Sequence, residues 1–274
     1  MGKADAAVVS AVMGQVDEAL RASSHRPVVI GICGAQGSGK STLAAQVATA
    51  CGAEGLACAI LSIDDLYLTK AERRALAETI HPLLATRGVP GTHDVALGLS
   101  VLDALERGEA VALPRFDKAR DERALPESWP AAPVPCDVLL FEGWCVGARP
   151  QAQVDLLHPV NLLESVEDAK GAWRAYANKA LAGEYQRLFS RIDRLVLLAA
   201  PGFKVVARWR LEQEEQLAKA CPQASGIMDA AAVARFVAHY ERITAHILRE
   251  MPARADLAVS LDEARRPVSI LSRA

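Results

Sequence analysis

GICGAQGSGKST, residues 31–42, is the most informative segment of this sequence. From Gly34 to Ser41 it matches the pattern G-x-x-x-x-G-K-[ST], in which backbone N–H groups of a glycine-rich turn surround phosphate oxygens. An apolar run precedes it at residues 28–33, and the helix-forming segment TLAAQVATA follows it. A helix that begins here directs its positive end at the same anion. The segment predicts a loop that binds the phosphates of a nucleotide, with a chance glycine-rich turn as the alternative.

The residue types of this loop assign individual roles. We expect Lys40 to reach the β- and γ-phosphates and the Ser41 hydroxyl to bind Mg²⁺. ATP is the expected nucleotide, so ATP and Mg²⁺ are the predicted cofactors. The residues of the loop expected to bind the nucleotide are Gly34, Gln36, Gly37, Ser38, Gly39, Lys40, Ser41 and Thr42.

Composition narrows the class of protein. The chain has 274 residues, 51% of them hydrophobic, and a formal net charge of −2. The absence of a basic excess disfavours a nucleic-acid partner, and no apolar run approaches the length of a membrane helix. There is no signal-peptide pattern, and none of the six cysteines forms a C-x-x-C pair. We therefore expect a cytoplasmic protein with free thiols and no membrane partner; the sequence leaves its oligomeric state open.

Six short apolar runs alternate with helical segments along the chain. They lie at residues 28–33, 56–63, 110–114, 137–143, 194–200 and 257–262. Because these runs are continuously apolar rather than alternating, they predict strands covered on both faces. The order predicts an α/β fold with a doubly wound, mostly parallel sheet flanked by helices. Residues 114–135 interrupt it as a long, charged, proline-rich connection, which is typical of a functional or disordered loop.

Acidic residues follow two of the predicted strands. Asp64 and Asp65 end the second run, and Glu142 ends the fourth. The carboxyl ends of parallel strands form the crevice in which such sheets bind ligands. An aspartate there can act as the base for an acceptor hydroxyl, and Glu142 can lie near Mg²⁺. The alternatives are a helix cap for the aspartate pair and a strand exit without a ligand for the glutamate.

Three further segments contain candidate binding residues. RGVPGTHD, residues 87–94, presents polar groups before a helix, although a turn with a helix cap is the alternative. Arg115 and Lys118 flank Asp117 in the long connection and can bind an anion, unless they form a solvated loop. Arg208 and Arg210 belong to a charged helical segment that can close as a lid over ATP or pair with its own glutamates.

Other parts of the sequence distinguish between classes of nucleotide-binding protein. A guanine-nucleotide switch normally shows N-K-x-D, whereas the nearest match here, residues 178–181, reads NKAL. Nothing indicates a motor. A small-molecule kinase therefore fits best, with an anionic acceptor favoured by the basic loop. The alternatives are a kinase of a nucleoside, a pantothenate-like acid or a sugar acid, and a non-catalytic ATP-binding module.

These segments in this order resemble the plant-type D-glycerate 3-kinase family, with its kinase-like fungal and bacterial relatives, within the phosphoribulokinase, uridine kinase and pantothenate kinase group. The resemblance covers roughly residues 28–267. Its signatures are GAQGSGKST, SIDDLYLT, RGVPGTHD, PRFDKARDERA, FEGWCVG, WRLEQE and DEARRPV. It implies one P-loop kinase domain over residues 1–274, with an N-terminal helix in 1–26, an acceptor region in 66–135 and a helical lid region in 203–250.

The resemblance also implies roles for residues. Asp64 would be the catalytic base, acting with Lys40 and Arg208, while Glu142 and Ser41 would serve the metal. Arg210 would join Arg208 in the ATP-facing lid. The acceptor pocket would contain Asp65, Tyr67, His93, Asp94, Arg115 and Lys118. D-glycerate would be converted to 3-phosphoglycerate. Because FEGWCVGA carries smaller residues than the EGWMLGF of the plant enzymes, we expect residues 145–148 to form a smaller pocket wall.

Overall fold

The computed structural model describes residues 4–220 and 228–273, and Cys221 lies outside this part of the chain. Its strands are numbered in chain order. They are β1 Val28–Gly34, β2 Cys58–Ser62, β3 Phe116–Asp117, β4 Glu122–Arg123, β5 Val138–Gly143, β6 Arg194–Ala199, β7 Leu257–Leu261 and β8 Pro267–Ser272.

The helices are numbered in the same way. They are α1 Ala6–Ala22, α2 Lys40–Ala53, α3 Lys70–Thr79, α4 Val95–Glu106, α5 Leu162–Glu167, α6 Ala172–Ala182, α7 Glu184–Phe189, α8 Lys204–Ala220, α9 Ala230–Ala238 and α10 Glu241–Glu250. The helices α1, α3, α4, α5 and α9 start at a polar cap residue, as expected for the unpaired N–H groups of a first turn. In α3, Thr69 and Glu72 form a reciprocal capping box.

The central sheet has six strands in the order β2-β5-β1-β6-β7-β8. Neighbours pair in parallel from β2 to β7, and β8 alone runs antiparallel, against β7. The predicted doubly wound, mostly parallel sheet is therefore confirmed. It places the carboxyl ends of β2, β5 and β1 side by side at one edge.

Alternate residues of each central strand contribute to two separate cores. On one face Val28 and Ile30 of β1 pack with α1 and α2; on the other, Val29 and Cys33 pack with α4, α7 and α10. Every residue of β1 and β5 is buried. This double burial explains why the strands read as continuous apolar runs. Burying each large apolar side chain contributes roughly 1.5–3 kcal/mol, so the two cores hold the sheet edge rigidly.

Two expectations about secondary structure need correction. Residues 110–114 form no strand of the sheet; Ala112 only makes an isolated bridge to Ala131. Pro114 ends that run and has no N–H group for a ladder. Residues 114–135 are not structureless, because β3 and β4 form an antiparallel hairpin there. The terminal strand β8 was not predicted, since its half-exposed residues lack the continuous apolar pattern.

The described cysteines are Cys33, Cys51, Cys58, Cys136 and Cys145, and all are free thiols. Burial raises the pKa of Cys33 to about 12 and that of Cys145 well above its usual range. Both thiols therefore stay protonated near neutral pH and behave as small apolar groups. In the described ranges, no helix combines the length and apolar character required to traverse a bilayer.

Candidate active site

A cavity of about 160 Å³ lies at the carboxyl ends of β1, β2 and β5. It collects side chains that are distant in the sequence because these three strands are neighbours in the sheet. The lining residues are Gln36, Gly37, Lys40, Ser41, Ser62, Asp64, Tyr67, Arg87, Lys118, Glu142, Trp144, Arg210, Phe236 and Tyr240.

The predicted phosphate loop connects β1 directly to α2. Gly37 and Gly39 have φ angles of 77° and 91°, a region that favours glycine. At Gly37 a Cβ atom would also stand 2.7 Å from the Cβ atom of Trp209 on α8. Lys40 is the first residue of α2, so the positive end of this helix faces the cavity. This is the geometry expected for binding phosphate.

Not every predicted loop residue enters the cavity. Gln36, Gly37, Lys40 and Ser41 line it. The remaining four lie at the end of β1, in the turn and in the first turn of α2: Gly34, Ser38, Gly39 and Thr42. The Ser38 hydroxyl is buried and has no hydrogen-bond partner among the described residues. A phosphate oxygen is the kind of acceptor that would satisfy it.

Glu142 and Ser41 meet beside the phosphate loop. The Ser41 hydroxyl donates a 2.9 Å hydrogen bond to Oε1 of Glu142, while Oε2 is buried and unpaired within the described part of the chain. An unsatisfied buried carboxylate oxygen fits a role beside a cation or its water. The described residues contain no cluster of three or more His, Cys, Asp or Glu side chains suited to a metal. One carboxylate and one hydroxyl suit Mg²⁺ held mainly through a nucleotide's phosphates.

Asp64 follows β2 in a short 3₁₀ turn, Ile63–Leu66. Oδ1 accepts a 2.9 Å hydrogen bond from the Tyr67 hydroxyl, and Oδ2 accepts a 2.6 Å bond from Nζ of Lys118. Burial on its own would raise the pKa of this carboxyl, but Lys118 and Lys40 outweigh it and hold the pKa well below its usual range. Asp64 is therefore ionised and points into the cavity.

Asp65, its neighbour, is used differently. Its Oδ1 accepts a 3.0 Å hydrogen bond from the Phe116 N–H, and its Oδ2 lies 3.4 Å from Nη1 of Arg115. Burial raises the pKa of Asp65 to about 6. Both Asp65 and Arg115 were expected in the acceptor pocket, but neither lines the cavity. They fasten the β3–β4 hairpin to the turn that carries Asp64.

His93 and Asp94 also lie outside the cavity lining. His93 is 3% exposed, stacks on the Tyr67 ring at 4.5 Å and forms a 2.6 Å hydrogen bond with the Tyr185 hydroxyl. Burial lowers its pKa to about 4. Asp94 caps α4 through the Leu97 N–H and pairs with Arg123 at 3.0 Å. These contacts support Tyr67 and the hairpin from behind, which corrects the expectation of direct pocket positions.

The wall opposite the phosphate loop is aromatic and basic. The Tyr240 ring meets Trp144 edge-on at 4.8 Å, and its hydroxyl donates to the carbonyl of Arg87. The Arg87 guanidinium pairs with Asp121 and lies 5.6 Å from the Phe116 ring centroid. Arg87 is thus held in a fixed position at the cavity.

Of the two arginines predicted for the lid segment, one lines the cavity. Arg210 lines the cavity, pairs with the buried Glu214 and lies 5.6 Å from the Phe236 ring centroid. Arg208 is on the outer side of α8, where it pairs with Glu263 at 3.1 Å. The structure therefore places Arg208 away from the cavity, paired with Glu263 of the turn after β7 and, more distantly at 3.9 Å, with Glu212 of its own helix.

The expected small wall at residues 145–148 also needs correction. Cys145, Val146 and Ala148 are fully buried in the core, and the residues of FEGWCVGA that line the cavity are Glu142 and Trp144. Gly147 sits against the Leu195 side chain. The small residues therefore pack against the sheet rather than shape the pocket.

Sequence reasoning missed several lining residues: Ser62, Arg87, Trp144, Phe236 and Tyr240. Arg87 and Trp144 belong to segments that had already been singled out, so their presence in RGVPGTHD and FEGW was an available signal. Phe236 and Tyr240 had none, because α9 and the turn after it reach the cavity only through the tertiary fold.

Comparison with known proteins gives a consistent result. Residues 29–157 match the profile of the Phosphoribulokinase / Uridine kinase family. An uncharacterized kinase of Schizosaccharomyces pombe, mug58, is 35% identical over 263 residues, covering 89% of this chain and 91% of the relative. The chloroplastic D-glycerate 3-kinase of Arabidopsis thaliana is 31% identical over 260 residues, covering 88% of this chain and 54% of the relative. The chain thus spans about half the length of the plant protein.

A solved structure agrees at the level of the fold. The D-glycerate 3-kinase from Cryptococcus neoformans superposes with a TM-score of 0.77, covering 97% of this chain and 98% of the other, at 24% sequence identity. This likeness confirms the P-loop kinase fold. The long match to the fission-yeast kinase and the family profile show that the chain belongs to the phosphoribulokinase/uridine kinase family of P-loop kinases.

Proposed function

We propose that this protein is an ATP-dependent kinase of a small hydroxylated carboxylic acid, with D-glycerate as the leading substrate and 3-phosphoglycerate as its product. One observation carries the proposal. Asp64 shares a single cavity with Lys40 and Ser41 of the phosphate loop, and the cations Arg87 and Lys118 stand on the acceptor side of it. A hydroxyl acceptor, a base and a phosphate site can therefore meet there.

The charge of the lining favours an anionic acceptor. Four lining residues are cations, namely Lys40, Arg87, Lys118 and Arg210, and two are acids, Asp64 and Glu142. The excess of two positive charges attracts a nucleotide's phosphates and an acceptor carboxylate. We assign the carboxylate to Arg87 and Lys118, in place of the predicted Arg115. The 31% identity to the Arabidopsis D-glycerate 3-kinase supports the same substrate class.

The groups around the nucleotide have separable tasks in this mechanism. The N–H groups of the loop and of the first turn of α2 hold the phosphates, and Lys40 and Arg210 neutralise their charge. Ser41 and Glu142 would hold Mg²⁺, which when bound with ATP offsets charge on the phosphate oxygens. Trp144, Tyr240 and Phe236 form apolar walls that limit water at the reacting groups.

Asp64 is the proposed base. The 3-hydroxyl oxygen of the acceptor attacks the γ-phosphorus while the bond to the β,γ-bridging oxygen breaks, and Asp64 takes the hydroxyl proton. Lys40 stabilises the charge that develops on the transferred group. We assign acceptor recognition to the region 66–135, which supplies Tyr67, Arg87 and Lys118 to the cavity, and lid contacts to 203–250. The free thiols support action in the reducing cytoplasm.

The test is ADP formation by the purified protein with MgATP and a set of acceptors. D-glycerate, L-glycerate, glycerol, uridine, pantothenate and ribulose 5-phosphate cover the acid, neutral and phosphorylated classes. We expect D-glycerate to stimulate ADP formation most strongly. Stimulation by another compound alone would replace the substrate, and nucleotide binding with no stimulation by any would favour a non-catalytic module.

The two neighbouring aspartates give a matched pair of variants for the same assay. Asp64→Asn should reduce kcat by about 10²- to 10⁴-fold, the usual worth of a general base, while ATP binding is retained. Asp65→Asn should reduce kcat far less, because Asp65 contacts the hairpin rather than the cavity. Equal loss in both variants, or wild-type turnover in Asp64→Asn, would remove Asp64 from the role of base.

A further inference from the structure

Both oxygens of Asp64 are engaged in the structure. Tyr67 donates to one at 2.9 Å and Lys118 donates to the other at 2.6 Å. An ammonium group at that distance offsets the negative charge of the carboxylate and weakens its ability to take a proton. Accordingly the pKa of Asp64 is lowered well below its usual range. The proposed base is therefore held in a weakly basic form by a cation assigned to the acceptor.

The two partners of Asp64 are held very differently. Tyr67 is 2% exposed, stacks on His93 and meets the Phe116 ring edge-on at 5.2 Å. The Lys118 side chain is 58% exposed and extends from the turn between β3 and β4. Its long stem allows the ammonium group to move without displacing the backbone. Lys118 is therefore the partner that can leave Asp64.

An anionic acceptor would offer Lys118 a second carboxylate. Arg87, fixed by Asp121 and by the Phe116 ring, is the other acceptor-side cation of the cavity. Arg87 lies close enough to Lys118 for their charges to interact, so an acid bound against Arg87 would also face Lys118. The other titratable groups that interact with the Asp64 charge are Lys40, Asp65, Tyr67, His93, Cys145 and Tyr240.

We propose that Lys118 is an exchangeable counter-ion, which pairs with Asp64 before the acceptor binds and passes to the acceptor carboxylate on binding. The acceptor's own charge thereby frees Asp64 to take the hydroxyl proton. A neutral polyol binds without removing Lys118, so it is phosphorylated slowly even when it occupies the site. This inference rests on the proposed function, and it makes Lys118 the residue that couples acceptor charge to turnover.

The exchange of Lys118 between Asp64 and the acceptor also predicts changes in acceptor affinity, which can be measured without turnover. If Asp64 competes with the acceptor for Lys118, then Asp64→Asn should bind D-glycerate more tightly, by about three- to tenfold for a partly exposed ion pair, although it cannot turn it over. Lys118→Met should bind it more weakly. In Lys118→Met the additional Asp64→Asn change should alter affinity by less than about twofold, since nothing is left to compete for.

Calorimetric titration of D-glycerate in the presence of Mg²⁺ and a non-hydrolysable ATP analogue measures these affinities. Glycerol is the neutral ligand, and Arg120→Met, an exposed cation in the same turn, is the matched control. Unchanged or weaker binding by Asp64→Asn would overturn the exchange. Equal tightening with and without Lys118 would also overturn it, because simple charge repulsion would then explain the effect.

Turnover gives a second readout that a structural role could not produce. Lys118→Met should lower kcat/KM for D-glycerate and raise kcat for glycerol, whereas damage to the fold would lower both. A fall for both acceptors would contradict the exchange. If the wild-type protein neither binds nor phosphorylates D-glycerate, the proposed function itself fails. If it does both and the variants miss the expected pattern, only the exchange fails.

Discussion

Asp64 and Asp65 are adjacent in the chain, yet their carboxyl groups have opposite environments. Two lysines near Asp64 hold its pKa well below the usual range, whereas burial raises the pKa of Asp65 to about 6. At Asp64, Lys118 of the β3–β4 hairpin and Lys40 of the phosphate loop outweigh the effect of burial. At Asp65, the Phe116 N–H and Arg115 of the same hairpin also lower the pKa but do not outweigh burial. The residue pattern identified the pair without separating their roles, and only the family resemblance assigned the base to Asp64 and the acceptor pocket to Asp65.

The pH dependence of the free energy of unfolding tests whether burial behind the site keeps His93 neutral. Burial lowers its pKa from 6.5 to about 4, with a smaller opposing effect of Asp64. Between those values the unfolded chain binds more protons at this residue than the folded one. The contribution of His93 to the free energy of unfolding is therefore complete above pH 6.5 and is lost as pH falls toward the folded pKa.

Comparison with His93→Gln isolates this contribution, since glutamine can keep a hydrogen bond to Tyr185 but takes up no proton. Lowering the pH from about 7 to about 4.5 should cost the wild-type protein roughly 2 kcal/mol more than the variant in free energy of unfolding. Urea unfolding at both pH values measures it. Parallel losses in the two proteins would show that His93 is not held neutral by burial.

Among the elements, the phosphate loop is supported by two that lie far from it in the chain. Trp209 of α8 packs against Gly37, and Nε of Arg265, in the turn between β7 and β8, donates a 2.6 Å hydrogen bond to the Gly37 carbonyl. Arg265 also pairs with Glu212 at 2.6 Å and lies 5.1 Å from the Trp209 ring centroid. Arg265 of the closing DEARRPV segment thus holds the backbone of the phosphate loop at Gly37.

Arg265→Met should therefore weaken nucleotide binding with little change in chemistry. Loss of a hydrogen bond from a charged donor is worth about 1.5–3 kcal/mol, so we expect the KM for ATP to rise roughly 10- to 100-fold while kcat changes much less. Arg266→Met is the matched control, because its side chain is 79% exposed and, among the residues that the structure describes, forms an ion pair with Asp262 alone. Steady-state kinetics at varied ATP concentration measures the two parameters. Equal effects in both variants would contradict the role of Arg265 in supporting the phosphate loop.

The burial of each strand explains whether the sequence predicted it. The five parallel strands were apparent because each reads as a continuous apolar run. β1 and β5 are buried throughout, and β2, at the edge of the sheet, alternates between buried and half-buried residues. The half-exposed edge strand β8 was missed, and the run at residues 110–114 was over-read as a strand. The hairpin was hidden because its strands are two residues each and depend on contacts of Phe116 with Asp65 and of Arg123 with Tyr67 rather than on a pattern of their own.

At the scale of the whole molecule, the site is a product of strand order. The order β2-β5-β1 places the turn with Asp64, the end of β5 with Glu142 and the phosphate loop next to one another. Ser62 and Glu142 are paired in register, as are Ile32 and Glu142. Motifs in the sequence were enough to predict this edge, since parallel strands end on the same side.

The acceptor side of the cavity was less predictable for the same reason. Arg87, Phe236 and Tyr240 reach it from a loop, from α9 and from the turn after α9, and their meeting depends on how helices pack over the sheet edge. Of the predicted acceptor residues, Tyr67 and Lys118 line the cavity, and the others hold its walls from behind. The nucleotide side of the cavity can be recognised from local sequence motifs, whereas the acceptor side depends on tertiary contacts.

The most direct test of the kinase proposal is to identify the phosphorylated product. The purified protein would be incubated with MgATP and D-glycerate, and the γ-phosphate followed by phosphorus NMR. We predict conversion of ATP to ADP with an equal amount of 3-phosphoglycerate, and no such product from Lys40→Ala at the same concentrations. Release of inorganic phosphate alone, or phosphate on the 2-hydroxyl, would contradict the account.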